Sequence, residues 1–597
     1  MILTIIGLIL LLIPFLFLFY FQNKILGFVY ILSFLMASHL IISMTTQALD
    51  SFHYHTIIAV HAGISIIVIL KTKKFIPGFK FDLRKLDWVL IFMVVVVLIH
   101  LFSIHHNYSG KYSLATTPQF MEANGMQYPY PYYVDEWYAI AFVKRVINIH
   151  SLPIDNPMMN PGWPFVNMQL PFHSSISELV LLLNLDPVKN YTVLTVFSGL
   201  LICLLVYLFL VHSGVANISA AIAGLSVLYI TNGANLPGIW NLIPLILGII
   251  SMLLSFFFVT TNSTKMRILL SAMTLLLYPP LVVFYVIVAA APFFAKEGAL
   301  NRRKSRSILY YSLSIIGVGI TLSAAYFLAK GSFSDFSNYI LFKKLFYPSF
   351  TQGFNPNYSI YNILPIPVLL VAIFGIPAVL KRQTWLLVMV SLGIIYWILY
   401  SFVSTTVIVE YKRVVVFTSI LIVILMGFGL DYLVTKLKKL SLLKKNETLK
   451  YIQIGVLVTF LFLSFSYTKR ENWIKLTITD ARQDKIYMPA APANQYLQPD
   501  DLQLFKNIRN KTFLSIPWKG TVIGVATDNY PVSTKPGTVS MGKKLARKFI
   551  NSDCPDRYNL VKSLNIDYVY LPQFSCPYFE FLDKSREGLC LYKVLKR

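Results

Sequence analysis

Apolar runs of about 17 to 25 residues recur along nearly the whole of this 597-residue chain, and no other feature restricts its fold as much. Residues 2–22, 25–46, 55–70, 86–103, 191–211, 215–230, 239–259, 308–329, 364–380, 385–402, 414–434 and 452–466 each read as a helix able to cross a bilayer. Residues 266–294 are too long for one ordinary span and carry Pro279 and Pro280 in their middle, so they read as two shorter segments. The total is about fourteen crossings. With 56% hydrophobic residues, 13% charged residues and a mean hydropathy of +0.64, so much apolar surface does not fit inside a water-soluble core. Runs of this length also exclude an outer-membrane barrel, whose strands are shorter and alternate. The expected fold class is a polytopic α-helical membrane protein. The start has no charged segment followed by a small-residue cleavage site, so residues 2–22 read as a retained span.

Three loops carry dense positive charge: KTKKFIPGFKFDLRK from Lys71, KEGALNRRKSR from Lys296 and KLKKLSLLKKNETLK from Lys436. The positive-inside rule places all three in the cytoplasm. The segment after the span at 86–103 is then outside, and the parity up to Lys296 closes if the prolines split residues 266–294. The stretch 172–185 is too short to cross and reads as a helix at the interface. The last span delivers residues 470–597 to the outside. The net charge of +26 is absorbed by cytoplasmic loops and anionic lipid, and it does not call for nucleic acid.

Beyond the spans the composition changes. Residues 496–597 combine a helical stretch, PDDLQLFKNIRN, with β-rich runs at 521–526 (TVIGVA), 566–571 (IDYVYL) and 591–595 (LYKVL), the pattern of a small α/β domain. Residues 551–565 read as a loop and helix feeding the IDYVYL strand. Cys554, Cys576 and Cys590 lie here, and an extracytoplasmic location permits a disulfide. Cys554 with Cys576 is the preferred pair because they bracket that helix and strand, with Cys590 open as a partner. No Cys/His spacing resembles a zinc site.

The chemistry-bearing stretch is YPYPYYVDEWYAI, in a polar loop just after a span. The spans carry almost no ionisable residues, so the adjacent acids Asp135 and Glu136 ask for a reason. A carboxylate near the membrane surface can take the proton of an acceptor hydroxyl, and a departing phosphate needs nearby positive charge. Asp135 is the candidate general base, and Glu136 shares that role or positions the acceptor. The competing reading is that one of the acids, Asp135, caps a helix beginning near Trp137, and both readings can hold together. For the phosphate, Arg413 and Lys412 stand in Glu410-Tyr411-Lys412-Arg413, just before a span, with Glu410 beside them. Lys343 and Lys344 are further cationic candidates in a long outer loop. His173, Trp137, Trp163 and Tyr133 are candidates for contact with substrate, although aromatic residues at this level also face lipid headgroups.

A span, an outer loop with an acidic pair, a short helix, the run HSLPIDNP and then FHSSISELVLLL together resemble the first large loop of the GT-C superfamily of integral-membrane glycosyltransferases. Its members include protein O-mannosyltransferases and lipid A aminoarabinose transferases. The resemblance spans roughly residues 86–470, with YVDEW as its carrying motif, and the IDYVYL…LYKVL tail resembles accessory domains on prokaryotic members. It divides the chain into extra N-terminal helices (1–85), a catalytic membrane domain (86–469, first large loop 107–172) and an extracytoplasmic α/β domain (470–597). It implies a polyprenyl-phosphate-linked sugar donor, a glycan, lipid or protein acceptor, inversion at the transferred carbon, and residence in the cytoplasmic membrane. No WWDYG sequence of the oligosaccharyltransferases occurs; the nearest stretch, Pro517-Trp518-Lys519-Gly520, lacks the acid. No metal or other cofactor is assigned, and a divalent ion is left open. A transporter or flippase of lipid-linked glycans and a non-catalytic scaffold displaying its tail are the competing classes. The first would call for broken helices in paired halves, which the sequence does not display.

Overall fold

The computed structural model describes residues 2–72, 87–106, 108–113, 120–126, 130–131, 134–153, 156–158, 169–230, 239, 241–261, 263–294, 359–403, 411–439, 455, 497, 499–534, 542–585 and 588–595. The expected span at 308–329 and, apart from residue 455, that at 452–466 lie outside the described residues, as do Tyr133, Trp163, Lys343, Lys344 and Glu410.

The membrane part is a bundle of helices: α1 (Ile2–Leu12, continued as a 3-10 turn to Tyr20), α2 (Lys24–Ala48), α3 (Tyr54–Thr72) and α4 (Trp88–His106). A hairpin follows, β1 (Tyr108–Ser113) paired antiparallel with β2 (Phe120–Met126). Next come α5 (Val134–Ile149), α6 (Leu170–Leu182), α7 (Tyr191–His212), α8 (Asn217–Ser226), α9 (Pro244–Thr260), α10 (Thr264–Leu277) and α11 (Val282–Phe294). The bundle closes with α12 (Ile360–Ile363), α13 (Ile366–Arg382), α14 (Thr384–Val403) and α15 (Tyr411–Lys439). Pro279 and Pro280 do break residues 266–294, since α10 ends at Leu277 and a 3-10 turn, Pro279–Leu281, precedes α11.

Among the described residues six helices are long and apolar enough to cross a membrane: Ile2–Tyr20, Lys24–Ala48, Tyr54–Thr72, Tyr191–His212, Thr384–Phe402 and Arg413–Lys436. Outward faces of the bundle are those expected of a membrane protein. Ile2, Ile41, Ile66 and Phe402 on these helices, with Trp88 and Ile99 on the shorter apolar α4, are 57% to 82% exposed, an apolar girdle that water would penalise. By contrast α15 is almost wholly enclosed. Its backbone meets that of α13 through Gly375 and Gly429, each of which would drive a Cβ into the carbonyl of the other helix, Leu425 O and Val371 O respectively. The bundle is not as free of ionisable groups as the apolar runs suggest. Glu136, Glu178 and Arg267 are all buried within it.

The tail forms a five-stranded sheet in the order β4-β3-β5-β7-β6, from β3 (Thr512–Ser515), β4 (Tyr530–Pro531), β5 (Tyr568–Pro572), β6 (Phe579–Lys584) and β7 (Leu589–Val594). β3 runs parallel to β4 and β5, whereas β7 is antiparallel to β5 and β6. Helices α16 (Pro499–Leu504), α17 (Pro517–Thr527), α18 (Gly542–Asn551) and α19 (Cys554–Ser563) accompany it. One expectation fails: residues 521–526 are part of helix α17 and not a strand. Pro517 occupies the first turn after the extended Ile516, and the helix ends at Asp528 in the left-handed conformation. Gly520 and Gly524, one turn apart, let α17 lie against Pro531 and Ser533 at the sheet edge, so a β-branched run is helical for reasons of packing. Cys554 and Cys576 form a disulfide, and Cys590 is buried and reduced. Inside the tail Lys519 Nζ donates to Asp501 Oδ2 at 2.5 Å and the Tyr570 hydroxyl to Asp501 Oδ1 at 2.7 Å, with both charged side chains fully buried.

Candidate functional site

Asp135 and Glu136 lie in the first turn of α5, which starts at Val134, so neither is its N-cap. Negative charge in a first turn is favoured by the unpaired N–H groups there, and this accounts for having acids at the position but not for two with different surroundings. Glu136 is fully buried. Its Oε1 accepts the hydroxyl of Thr195 on α7 at 2.9 Å and the backbone N–H of Leu242 at 2.8 Å. Leu242 is held at its other end as well, because its carbonyl accepts the Tyr191 hydroxyl at 2.7 Å. Glu136 therefore binds α5 to α7 and to the segment entering α9. Sequence reasoning misses Thr195 and Leu242 as its partners, since both are ordinary span residues.

Asp135 points elsewhere. Its side chain is 32% exposed, and its Oδ2 lies 3.7 Å from Nη2 of Arg413, itself 20% exposed, in the first turn of α15. Two residues singled out for different chemical duties, and distant in the chain, thus stand side by side. The separation is that of a loose ion pair and not a hydrogen bond. Tyr411, two residues earlier on α15, is buried and stacked on Tyr400 with ring centroids 4.1 Å apart, which fixes the start of the helix that carries Arg413. Lys412 occupies the helical position between them.

Two further candidates among the described residues, Trp137 and His173, are packed into the protein. Trp137 is fully buried and its indole Nε1 donates to Pro131 O at 3.1 Å, so its ring offers no face to a sugar. His173 on α6 is buried against Phe142, rings stacked at 4.6 Å, with Phe172 edge-on at 5.2 Å. Burial pushes its imidazole down to about 3, so it is neutral at ordinary pH and is a packed histidine. α6 has 13 residues, about 20 Å, and is too short to cross a bilayer.

The far end of α5 meets the tail. Lys144 Nζ lies 2.5 Å from Asp528 Oδ1 and donates to Val525 O at 2.7 Å, the C-terminal end of α17. A polar cavity of about 320 Å³ opens there, lined by Lys144, Arg145, Asn148, Asn156, Arg509 and Asp528. It stands nine residues along α5 from Asp135, about 13.5 Å.

The sequence matches the profile of a family described as "Family of unknown function (DUF6541)" over residues 172–576. No curated protein matches the chain. Among solved structures it is similar to the oligosaccharyltransferase of Archaeoglobus fulgidus in the apo form, with 11% identity, 86% of this chain and 75% of that chain covered, and a TM-score of 0.46. The archaeal oligosaccharyltransferase from the same organism in complex with an inhibitory peptide and a dolichol-phosphate gives 11% identity, 85% and 74% coverage, and a TM-score of 0.42.

Proposed function

The chain belongs to the DUF6541 family, and we propose that it is a membrane glycosyltransferase that moves a sugar from a polyprenyl-phosphate donor to an extracytoplasmic acceptor. The observation that carries this reading is the partly exposed pair of Asp135 and Arg413, 3.7 Å apart where α5 meets the buried helix α15. Transfer needs both groups. In the proposed step Asp135 takes the proton of the acceptor hydroxyl as its oxygen forms a bond to the sugar's C1, and the bond from C1 to the phosphate oxygen breaks with its electron pair passing to the phosphate. A single displacement of this kind inverts C1. Arg413 stabilises the negative charge growing on the lipid phosphate, because a guanidinium matches phosphate oxygens and its stem tolerates an apolar surround. Burial of Glu136 supports a positioning role for it and leaves Asp135 as the base. Lys412, Lys343 and Lys344 are the further candidates for the donor phosphate in this reading, and Glu410 is a candidate for contact with substrate. The site faces the outside in this reading, together with the tail, as the basic loops require.

The test is an in vitro transfer assay of the full chain with a panel of polyprenyl-phosphate sugars. Asp135→Asn should lower turnover by about 100-fold or more, and Arg413→Ala by about 10- to 1,000-fold with Arg413→Lys recovering part. Full turnover in Asp135→Asn would remove the base assignment. Movement of lipid-linked glycan between vesicle leaflets without any transfer product would replace the enzyme by a flippase.

A further inference from the structure

Three ionisable side chains meet inside the helix bundle away from the acidic pair: His39 on α2, His61 on α3 and Glu178 on α6. Glu178 is fully buried, and His61 and His39 are only 3% and 7% exposed. Nε2 of His61 lies 2.6 Å from Glu178 Oε1, and Nδ1 of His39 lies 3.1 Å from the same oxygen. The two imidazoles are 4.9 Å apart, tilted by 31°. One ligand atom from each residue falls within 4.8 Å of the others.

Hydrogen bonding within the protein does not satisfy this cluster. His61 and Glu178 Oε1 account for each other. His39 Nδ1, close as it is, makes no hydrogen bond, and Glu178 Oε2 has none either. A buried carboxylate oxygen and a buried ring nitrogen left in this way have lost their water without a replacement partner. A histidinium held against the carboxylate would neutralise charge yet leave both atoms without partners. A metal ion bound by His39 Nδ1 and by the Glu178 carboxylate through both oxygens would engage them both.

We propose that His39, His61 and Glu178 bind one divalent transition-metal ion of the zinc class. Two imidazole nitrogens and one carboxylate are a donor set that zinc and its neighbours accept, whereas magnesium and calcium prefer oxygen throughout. Ligands at zinc distances sit about 3.3 Å apart in a tetrahedron, so the nitrogen-to-oxygen separations of 2.6 and 3.1 Å need to widen by less than 1 Å. Small side-chain rotations on three packed helices supply that. The bound ion pins α2 and α3 to α6. It thereby ties the N-terminal helices to the element packed against α5. The proposal does not depend on glycosyl transfer.

The experiment is metal analysis of the full chain, purified in detergent through a tag without histidine, stripped with chelator, reloaded with Zn²⁺ or Co²⁺ and freed of excess ion. One ion per chain is expected in the parent, and about a tenth of that or less in His61→Ala and Glu178→Ala. His150→Ala serves as the control, because His150 lies against His53 with ring centroids 4.1 Å apart in a separate histidine pair and should leave the ion count unchanged. Co²⁺ in the parent should give the intense visible bands of a four-coordinate site, undisturbed by excess Mg²⁺. If a variant does not fold, the Co²⁺ spectrum and stoichiometry of the unmodified chain decide. A reloaded parent with no ion above background, or variants that keep a full equivalent, would overturn the proposal and leave a buried hydrogen-bonded triad.

Discussion

Replacing Glu136 tests how the acidic turn is held. Its Oε1 is the shared acceptor of Thr195 and of the Leu242 N–H. If the carboxylate is removed, Thr195 can fall back on Tyr191 O, already 3.2 Å from its hydroxyl. The Leu242 N–H has no second acceptor among the described residues, so alanine leaves it buried and unpaired. The orphaned donor costs about 1–3 kcal/mol and the lost bond to a charged group about 1.5–3, overlapping quantities that together amount to about 2–4 kcal/mol. Glutamine keeps an acceptor oxygen and loses only the charge assistance, about 1 kcal/mol.

Hydrogen exchange of the full chain in detergent, read on peptides covering residues 134–149 and 239–244, reports this opening directly. With a factor of ten for each 1.4 kcal/mol, Glu136→Ala should speed exchange there by roughly 30- to 1,000-fold and Glu136→Gln by roughly five-fold. Unchanged exchange in the alanine variant, or equal damage from glutamine, would refute the view that this carboxylate fixes α5 to α7 and α9.

Asp501→Ala, which strands the buried Lys519 ammonium, should destabilise the tail by about 3–5 kcal/mol in proteolysis against denaturant, while the double change Asp501→Leu with Lys519→Met should cost far less. Replacing Cys554 and Cys576 by serine opens a loop with a sequence separation of 22 and should lower tail stability by about 3 kcal/mol in the same assay. His173 is held neutral down to about 3 when folded, against 6.5 unfolded, so the unfolded chain binds the extra proton between those values. Stability from this group is therefore full above pH 6.5 and falls as the pH drops toward 3, and His173→Phe should remove that part of the acid sensitivity in thermal melts. Cysteines introduced near Asn107 and in the tail should be labelled from outside, and those near Arg303 or Lys444 should not, in a membrane-impermeant reagent assay.

What the sequence reveals here follows the range over which each signal acts. Apolar length and proline position are local, so the helices and the break at Pro279 are legible from the residues alone. The run at 521–526 misleads because β-branched residues suit either a strand or a buried helix, and the deciding features are Pro517 before it and two glycines that admit the sheet edge. Asp135 and Arg413 are legible as types of residue near a membrane surface, but their meeting depends on where the tertiary fold puts the first turns of α5 and α15, which no local pattern encodes. His39, His61 and Glu178 are less legible still. Each belongs to a different apolar run, and His61 and Glu178 are 117 residues apart, so only the packing of α2, α3 and α6 makes a cluster of them.

The position of Asp135 depends on contacts at two points along α5. At the first turn Glu136 joins the helix to α7 and to Leu242; about two turns further on, Lys144 joins it to Asp528 and Val525 of the tail. A helix of 16 residues held at two points on its length has little freedom to slide or roll. The transfer proposed for Asp135 would need that restraint, because a base misplaced by about 1 Å loses most of its effect. The buried anchor is a charge with defined hydrogen bonds, and the outer one is a partly exposed ion pair that salt can weaken. In this arrangement the tail acts as a brace on the helix that carries the site, and the extent of bracing is set by a contact about 13.5 Å from the carboxylate it steadies.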